Sequence, residues 1–408
     1  MKLLLLASFC SETAEWMLQI ALPVLVFQAT GSVESTAVMM VIGLLPMVLL
    51  SPVTGLVADR VHRPRLLLVV CLGQALVAAP LLADDATCWV VMALQTSLAA
   101  FFEPARNALV PDLVGPDGVT AANGLLGSGA NVARLVGAWL GGVLFAVGGI
   151  SLVYLAYAGV LVLAALALVV PLGNRREPPP RRPALREWLD GLDLIRRDRR
   201  LWVTGTSMLL GSVAQGMFLA LFVPFVLDVL LAGPEGVGLL RGVQAVGGLA
   251  AGVGVAVLAR RAAPHRLLGW GAVVLGVLSA VIWNGPQLTT VLAVYIGLFV
   301  AAGVPGVLVQ TGLLASLQTA VPPTATGRLM STAFAAMALG NALGMLVAGA
   351  GMDALGPTVL LDAQAAIYVV AGVLVLVVSR RRGRPRRSRA GEPVTSTAQP
   401  AAATRPAG

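Results

Sequence analysis

Residues 55–67 read Gly55-Leu56-Val57-Ala58-Asp59-Arg60-Val61-His62-Arg63-Pro64-Arg65-Leu66-Leu67, a charged hinge between apolar runs at 35–57 and 66–83. Asp59, Arg60, Arg63 and Arg65 are too costly to sit in hydrocarbon, whereas the runs on either side are long enough to cross it. The hinge has an echo. Ala58 to Leu67 is matched 201 positions later by Ala259-Arg260-Arg261-Ala262-Ala263-Pro264-His265-Arg266-Leu267-Leu268. In the same way Ala108-Leu109-Val110-Pro111 is matched by Thr319-Ala320-Val321-Pro322. Two echoes at about half the chain length point to a duplicated helical unit, six spans plus six, the design of membrane proteins built from repeats.

Composition agrees. The chain has 408 residues, of which 58% are hydrophobic and 12% charged, and its mean hydropathy is +0.88. Soluble domains hold roughly 45–50% apolar and about 25% charged residues, so a soluble globular protein is excluded, as are disordered and fibrous chains. The apolar runs are long and continuous, which excludes the short alternating strands of an outer-membrane barrel. Cys10, Cys71 and Cys88 offer neither a disulfide framework nor metal-ligand spacing, and the chain has only two histidines, His62 and His265. No Gly-x-x-x-x-Gly-Lys-Ser/Thr loop occurs, so nothing in the sequence hydrolyses ATP. No Gly-x-Ser-x-Gly elbow has a histidine partner, and no enzyme activity is expected.

Twelve apolar segments follow from hydropathy and turn signals: 4–29, 35–57, 66–83, 88–110, 121–148, 150–172, 201–231, 236–259, 267–283, 288–320, 327–354 and 357–379. The first reads as a membrane helix and not as a cleaved leader. The connections alternate in charge. Arg60, Arg63, Arg65, Arg106, the run from Arg175 to Arg200, Arg260, Arg261, Arg266, Arg328 and the cluster from Arg380 to Arg389 share one side. Glu34, Asp84, Asp85, Glu235 and Asp353 share the other, with Arg241 nearby. Basic loops stay in the cytoplasm, which places both termini and the middle loop there, in a multi-pass protein of the bacterial inner membrane. The same rule explains the net charge of +9 without a nucleic-acid partner. The expected organisation is a six-helix bundle at 1–172, a Pro/Arg-rich cytoplasmic linker at 173–200, a second bundle at 201–379, and a basic, disordered tail at 380–408.

With these residues in view, the chain resembles the major facilitator superfamily. Its hinge is similar to that family's motif A, Gly-x-x-x-Asp-Arg-x-Gly-Arg-Arg, with His62 in place of the second Gly and Pro64 in place of a basic residue. Three further passages resemble the third drug:proton antiporter group, which includes macrolide and siderophore exporters. They are Phe102-Glu103-Pro104-Ala105-Arg106 with Ala108 to Pro111, Ala121-Ala122-Asn123-Gly124, and Gly327-Arg328-Leu329-Met330-Ser331. There are two departures. The helix-5 antiporter motif Gly-Pro-x-x-Gly-Gly is here Gly137-Ala138-Trp139-Leu140-Gly141-Gly142, and helix 4 lacks the central buried Arg of many antiporters. The resemblance implies twelve transmembrane helices in two six-helix halves, and a latch in which Asp59, supported by Gly55, Arg60, Arg63 and Arg65, caps the helix opening at Gly327 and Arg328.

Charged residues at membrane depth are functional candidates by default. Glu12 and Glu15 share a face of the first helix at i, i+3 spacing, with Glu15 roughly 16 Å from its start. Arg134 lies roughly 20 Å into helix 5, and the family fold brings helices 1 and 5 together. The expectation is therefore a proton-coupling set of Glu15, Arg134 and Glu12, with Glu15 facing Arg134; a static buried ion pair is the plainer alternative. Glu103 and Arg106 form either a local salt bridge or a coupling of helix 4 to the motif A loop. Gly137, Gly141 and Gly142 thin helix 5 for close packing. Gln19, Gln95, Gln215, Phe218, Phe222, Gln310 and Asn341 are candidates to line a substrate cavity. Asp228 and Arg241 read as a solvated pair at the outer helix ends.

The expected function is export of amphipathic small molecules, a drug or secondary metabolite, by proton antiport through alternating access. The partners are that substrate, protons and the lipid bilayer. No cofactor is called for, and the chain is expected to work as a monomer. A lysophospholipid or lipid flippase of the same superfamily, a nutrient uptake symporter, and a non-transporting membrane receptor or anchor remain the alternatives.

Overall fold

Twelve helical rods follow one another in the computed structural model, which describes residues 1–169, 199–258, 263–318 and 323–380. They are α1 (Lys2–Thr30), α2 (Val33–Arg60), α3 (Arg63–Val77), α4 (88–114), α5 (116–147), α6 (150–169), α7 (Arg199–Pro224), α8 (Gly233–Leu258), α9 (Pro264–Asn284), α10 (Leu292–Gln318), α11 (323–355) and α12 (357–380). Each falls on one of the twelve segments expected from hydropathy. Residues 173–198 of the expected linker, the tail at 381–408 and the hinge echoes at 259–262 and 319–322 lie outside the described residues.

Local chemistry sets the breaks. α1 ends at Gly31, whose φ of 63° is the left-handed conformation that only glycine adopts freely. Ser32 then caps α2, its hydroxyl accepting from the Ser35 N–H at 3.1 Å. His62 Nδ1 accepts from the Arg65 N–H at 3.4 Å, and Pro64 occupies the first turn of α3, where its missing N–H costs nothing. The α4–α5 and α11–α12 corners each turn on one left-handed glycine, Gly115 and Gly356. Eight stretches among the described residues are long and apolar enough to cross a bilayer; two of them, Ala122–Val169 and Thr332–Val378, each span a corner and hold two rods.

The packing repeats. In the first half α5 lies on α1, where Gly137 and Gly141 meet the backbone of Thr13 and Met17, and α2 meets α4 at Gly43 and Met92. In the second half α11 lies on α7, where Gly344 and Gly216 meet Val213 and Asn341, and α8 meets α10 at Gly247 and Gly303. Each pairing in one half has its counterpart six helices later, so the duplication hinted at by the sequence is present in three dimensions.

Two symmetric crossings join the halves. α5 crosses α8, with a Cβ on Gly142 falling 3.1 Å from Gly238 Cα and against the Pro234 carbonyl. α11 crosses α2, with a Cβ on Gly349 falling 2.9 Å from Glu34 Cα. Gly142, Gly349, Glu34 and Gly238 all lie towards one end of the bundle, here called the Glu34 end; the motif A hinge marks the opposite, Arg63 end.

At the Arg63 end, α3 is pinned to α4. The Arg63 guanidinium donates to Asp112 at 2.7 Å and to the Ala108 carbonyl at 3.0 Å, and the two side chains are only 10% and 12% exposed. Removing one member of a buried ion pair takes the nearest compensating charge from the other. Arg63→Ala is therefore expected to destabilise the fold by about 3 kcal/mol, the low end for buried pairs because each side chain keeps some water. Thermal unfolding in detergent checks this. Asp112→Ala added to Arg63→Ala should cost little more, since both remove the same contact; full additivity would show that the pair is not coupled.

Candidate functional site

A cavity of about 760 Å³ lies between the halves, within the usual range of roughly 300–1,000 Å³ for small-molecule sites. α1 contributes Glu12, Glu15, Trp16 and Gln19, α4 contributes Glu103 and Arg106, and Phe222, Arg241 and Met345 come from α7, α8 and α11. Its lining extends towards the Arg63 end at Thr54, Arg106 and Gly127. Much of the remaining wall is apolar, with Met40, Met47 and Met92 joining Met345; thioether side chains adapt to irregular ligands.

Helix packing decides which face of α1 the cavity sees. Gly137 of α5 sits against the Thr13 carbonyl and 2.9 Å from Trp16 Cβ, as measured from a Cβ placed on it, and Gly141 sits against Met17. That turns residues 13, 16 and 17 towards α5. Glu12, Glu15 and Gln19 lie about a third of a turn away and line the cavity. Glu15 accepts a hydrogen bond from the Gln19 amide at 3.2 Å.

This corrects one expectation. Glu15 and Arg134 form no ion pair among the described residues, because it is the Trp16 side of α1 that faces α5. The Arg134 guanidinium instead lies 5.7 Å from the centre of the Trp16 ring. The carboxylate that does find an arginine is Glu12, paired with Arg106 of α4. Arg106 also reaches Glu103 at 3.6 Å, one turn away. Arg106 thus serves α1 as well as its own helix, and the link from α4 to the motif A hinge runs through Arg63 and Asp112.

Arg241 is a second correction. α8 starts at Gly233, so Arg241 is roughly 12 Å along it and not at its rim. Its guanidinium lies 5.6 Å from the Trp16 ring centre and 5.1 Å from that of Phe218, and it donates to the Gln244 side chain at 3.1 Å. Asp228 is exposed and forms no pair with it among the described residues.

The other candidates scatter. Phe222 and Gln19 line the cavity. Phe218 stacks on Phe222 at 5.3 Å and lies under Arg241. Gln95 is buried beside the Tyr157 hydroxyl, and Gln215 accepts from the Tyr368 hydroxyl at 3.0 Å. Asn341 packs its backbone on Gly216, and Gln310 is exposed; neither lines the cavity. Arg65 is exposed. The side chains of Gly55, Asp59, Arg60, Gly327 and Arg328 lie outside the described set, so the latch itself does too. Asp112 and Trp16 are the residues that sequence reasoning missed, and Arg241 is one that it placed at the helix rim. Asp112 directly follows the Ala108–Pro111 passage, and Arg241 is a lone charge inside an apolar run; both signals were available.

Comparison with known proteins agrees with this architecture. The family model described as Major Facilitator Superfamily matches residues 4–333. The chain is 26% identical over 402 residues to the multidrug efflux pump Tap of Mycolicibacterium fortuitum, covering 93% of this chain and 96% of Tap. It is 25% identical over 400 residues to the uncharacterized MFS-type transporter YfiS of Bacillus subtilis (strain 168), covering 92% of each. In structure it is similar to a bacterial homologue of the human lysosomal transporter Spinster, solved inward-facing and unoccupied. That match has a TM-score of 0.72 and 15% identity, and covers 92% of this chain and 96% of the other. It is also similar to the POT family transporter PepTSo, with a TM-score of 0.75 and 11% identity, covering 93% and 97%.

Proposed function

The chain belongs to the major facilitator superfamily and is a multi-pass membrane transporter of small substrates, not an enzyme; on that premise we propose that it exports amphipathic small molecules in exchange for protons. The observation that carries this reading is the cavity itself: it lies between two halves packed together at the Glu34 end, and Glu12 and Glu15 stand on its wall. A cavity closed at one end between two similar bundles is what alternating access requires. The likeness to Tap, a multidrug efflux pump, supports efflux as the direction. The mixture of methionine, aromatic and a few polar groups suits amphiphiles.

In this reading both termini and the linker at 173–200 are cytoplasmic, the membrane is the bacterial inner membrane, and the cavity faces the cytoplasm. The two bundles, at 1–172 and 201–379, rock about the substrate in a single monomer. Glu15 carries the proton. It stands on the cavity wall with Gln19 as its hydrogen-bond partner, while Glu12 is occupied by Arg106. Asp59 latches the cytoplasmic end against the first turns of α11, near Gly327 and Arg328.

The test is efflux of a panel of fluorescent amphiphiles from cells, with and without a protonophore. Efflux is expected to collapse with the protonophore. Glu15→Gln, at equal surface level, is expected to lower it about tenfold or more, since a carboxamide cannot carry a proton. Proton movement still coupled to substrate in Glu15→Gln would remove Glu15 from the route. In the same assay Asp59→Asn should slow efflux severalfold, and unchanged efflux would refute the latch. Translocation of labelled lipid in the absence of amphiphile efflux would replace export with a flippase.

A further inference from the structure

The cavity holds a cation that its own carboxylates do not neutralise. Arg241 lines it, and its guanidinium rests on two aromatic rings, Trp16 and Phe218. Its polar partner is a neutral side chain, Gln244. Arg134 also lies over the Trp16 ring, with its Nε buried and without a hydrogen-bond partner. Arg134 reaches from α5 to within 3.8 Å of a Cβ placed on Gly248 of α8. Among the described residues neither arginine has a carboxylate within ion-pair distance; the three ion pairs there join Arg63 to Asp112 and Arg106 to Glu12 and Glu103. Two guanidinium groups thus share one indole at the junction of α1, α5 and α8, where the two halves meet.

Aromatic faces attract a guanidinium, but they do not cancel its charge. At membrane depth an arginine without a counter-ion is costly and calls for an anion or a route to water. The flat fork of Arg241 is suited to a carboxylate or phosphate in two-pronged fashion. Trp16 and Phe222 beside it on the wall offer apolar surface for the rest of the molecule. We infer that the cavity selects amphiphiles bearing an anionic group, which Arg241 binds directly while Arg134, against the same Trp16 ring, adds positive field.

This inference rests on the export reading and narrows its substrate class. The anion would sit where α8 of one half meets α1 and α5 of the other, so its binding reports on both halves at once.

The probes are a dansyl-labelled fatty carboxylate, its neutral primary amide and the matching primary amine. Their affinities are measured by energy transfer from tryptophan, with the full chain in lipid nanodiscs. The carboxylate is expected to bind about tenfold more tightly than the amide. Arg241→Gln should bring the carboxylate down to the amide's affinity and leave the amide unmoved. Arg241→Lys should keep part of the difference, because it keeps the charge and loses the fork; thermal unfolding of each variant shows that it is folded. Equal affinities for all three probes in the native chain, or tighter binding of the amine, would overturn the anion inference and leave export standing. Loss of amide and carboxylate binding alike in a folded Arg241→Gln would assign Arg241 to shaping the cavity and overturn the inference too. Failure of the native chain to bind any of the probes would overturn both this inference and the amphiphile reading it depends on.

Discussion

Gly238→Val should reduce transport at least tenfold while leaving the protein in the membrane. A Cβ on Gly238 would press into the Ala138 carbonyl and lie 3.1 Å from Gly142 Cα. Both obstacles are backbone, so no rotamer change relieves the clash and the helices themselves must part. Overpacking of this kind costs about 1–3 kcal/mol. Here the cost falls on one conformation, the one in which α5 and α8 meet at the Glu34 end. A penalty of about 3 kcal/mol changes the ratio of two states by roughly 100-fold. The cycle then dwells with the Glu34 end apart. Gly349→Val, at the symmetric α11–α2 contact 2.9 Å from Glu34 Cα, should act in the same direction. Efflux measured at matched surface levels, with cysteine-labelling accessibility at the two ends of the cavity, reads both effects. Native efflux by Gly238→Val would show that this contact does not limit the cycle.

Arg106→Gln is the second large effect. It leaves Glu12 on the cavity wall without its cation, and Glu103 without its neighbour one turn away. The Glu12 and Arg106 side chains are only 19% and 12% exposed, so water replaces little of what is lost. A stranded buried charge costs about 3–5 kcal/mol, a large share of a total stability of about 5–15 kcal/mol. Arg106→Gln alone should therefore lower the unfolding temperature markedly. Adding Glu12→Gln removes the stranded charge and should recover most of the loss. If the single variant unfolds like the native chain, the pair does not hold α1 to α4.

The helices were legible because the bilayer enforces one rule: spans must be long, apolar and helical. Hydropathy and turn signals together located all twelve segments. The α4–α5 connection is the exception: the gap expected at 111–120 is helical on both sides of Gly115. The site was less legible. That Glu12 and Glu15 share a face followed from their spacing. Which helix that face meets depends on Gly137 and Gly141 seating α5 against Thr13 and Met17, and helix spacing within one rod does not encode it. Arg134 was read as the partner of Glu15 because depth was known and azimuth was not. Arg241 was misread for a smaller reason: an α8 start drawn at 236 instead of Gly233 moved it to the rim. The resemblance drew attention to the motif A hinge, but it did not point to Asp112 and the Ala108 carbonyl, which Arg63 engages on α4.

The contact between Gly142 and Gly238 has no side chains in it. It is made of Cα atoms and peptide carbonyls, and so carries nothing that ionises and nothing that counter-ions can screen. Its strength should be the same in acid and in alkali, and at low and high ionic strength. A change of pH or salt that alters the packing of the halves must therefore work through groups outside this crossing. In the proposed cycle the α5–α8 crossing would act as a passive spring, its stiffness set once by the choice of two hydrogens in place of two side chains.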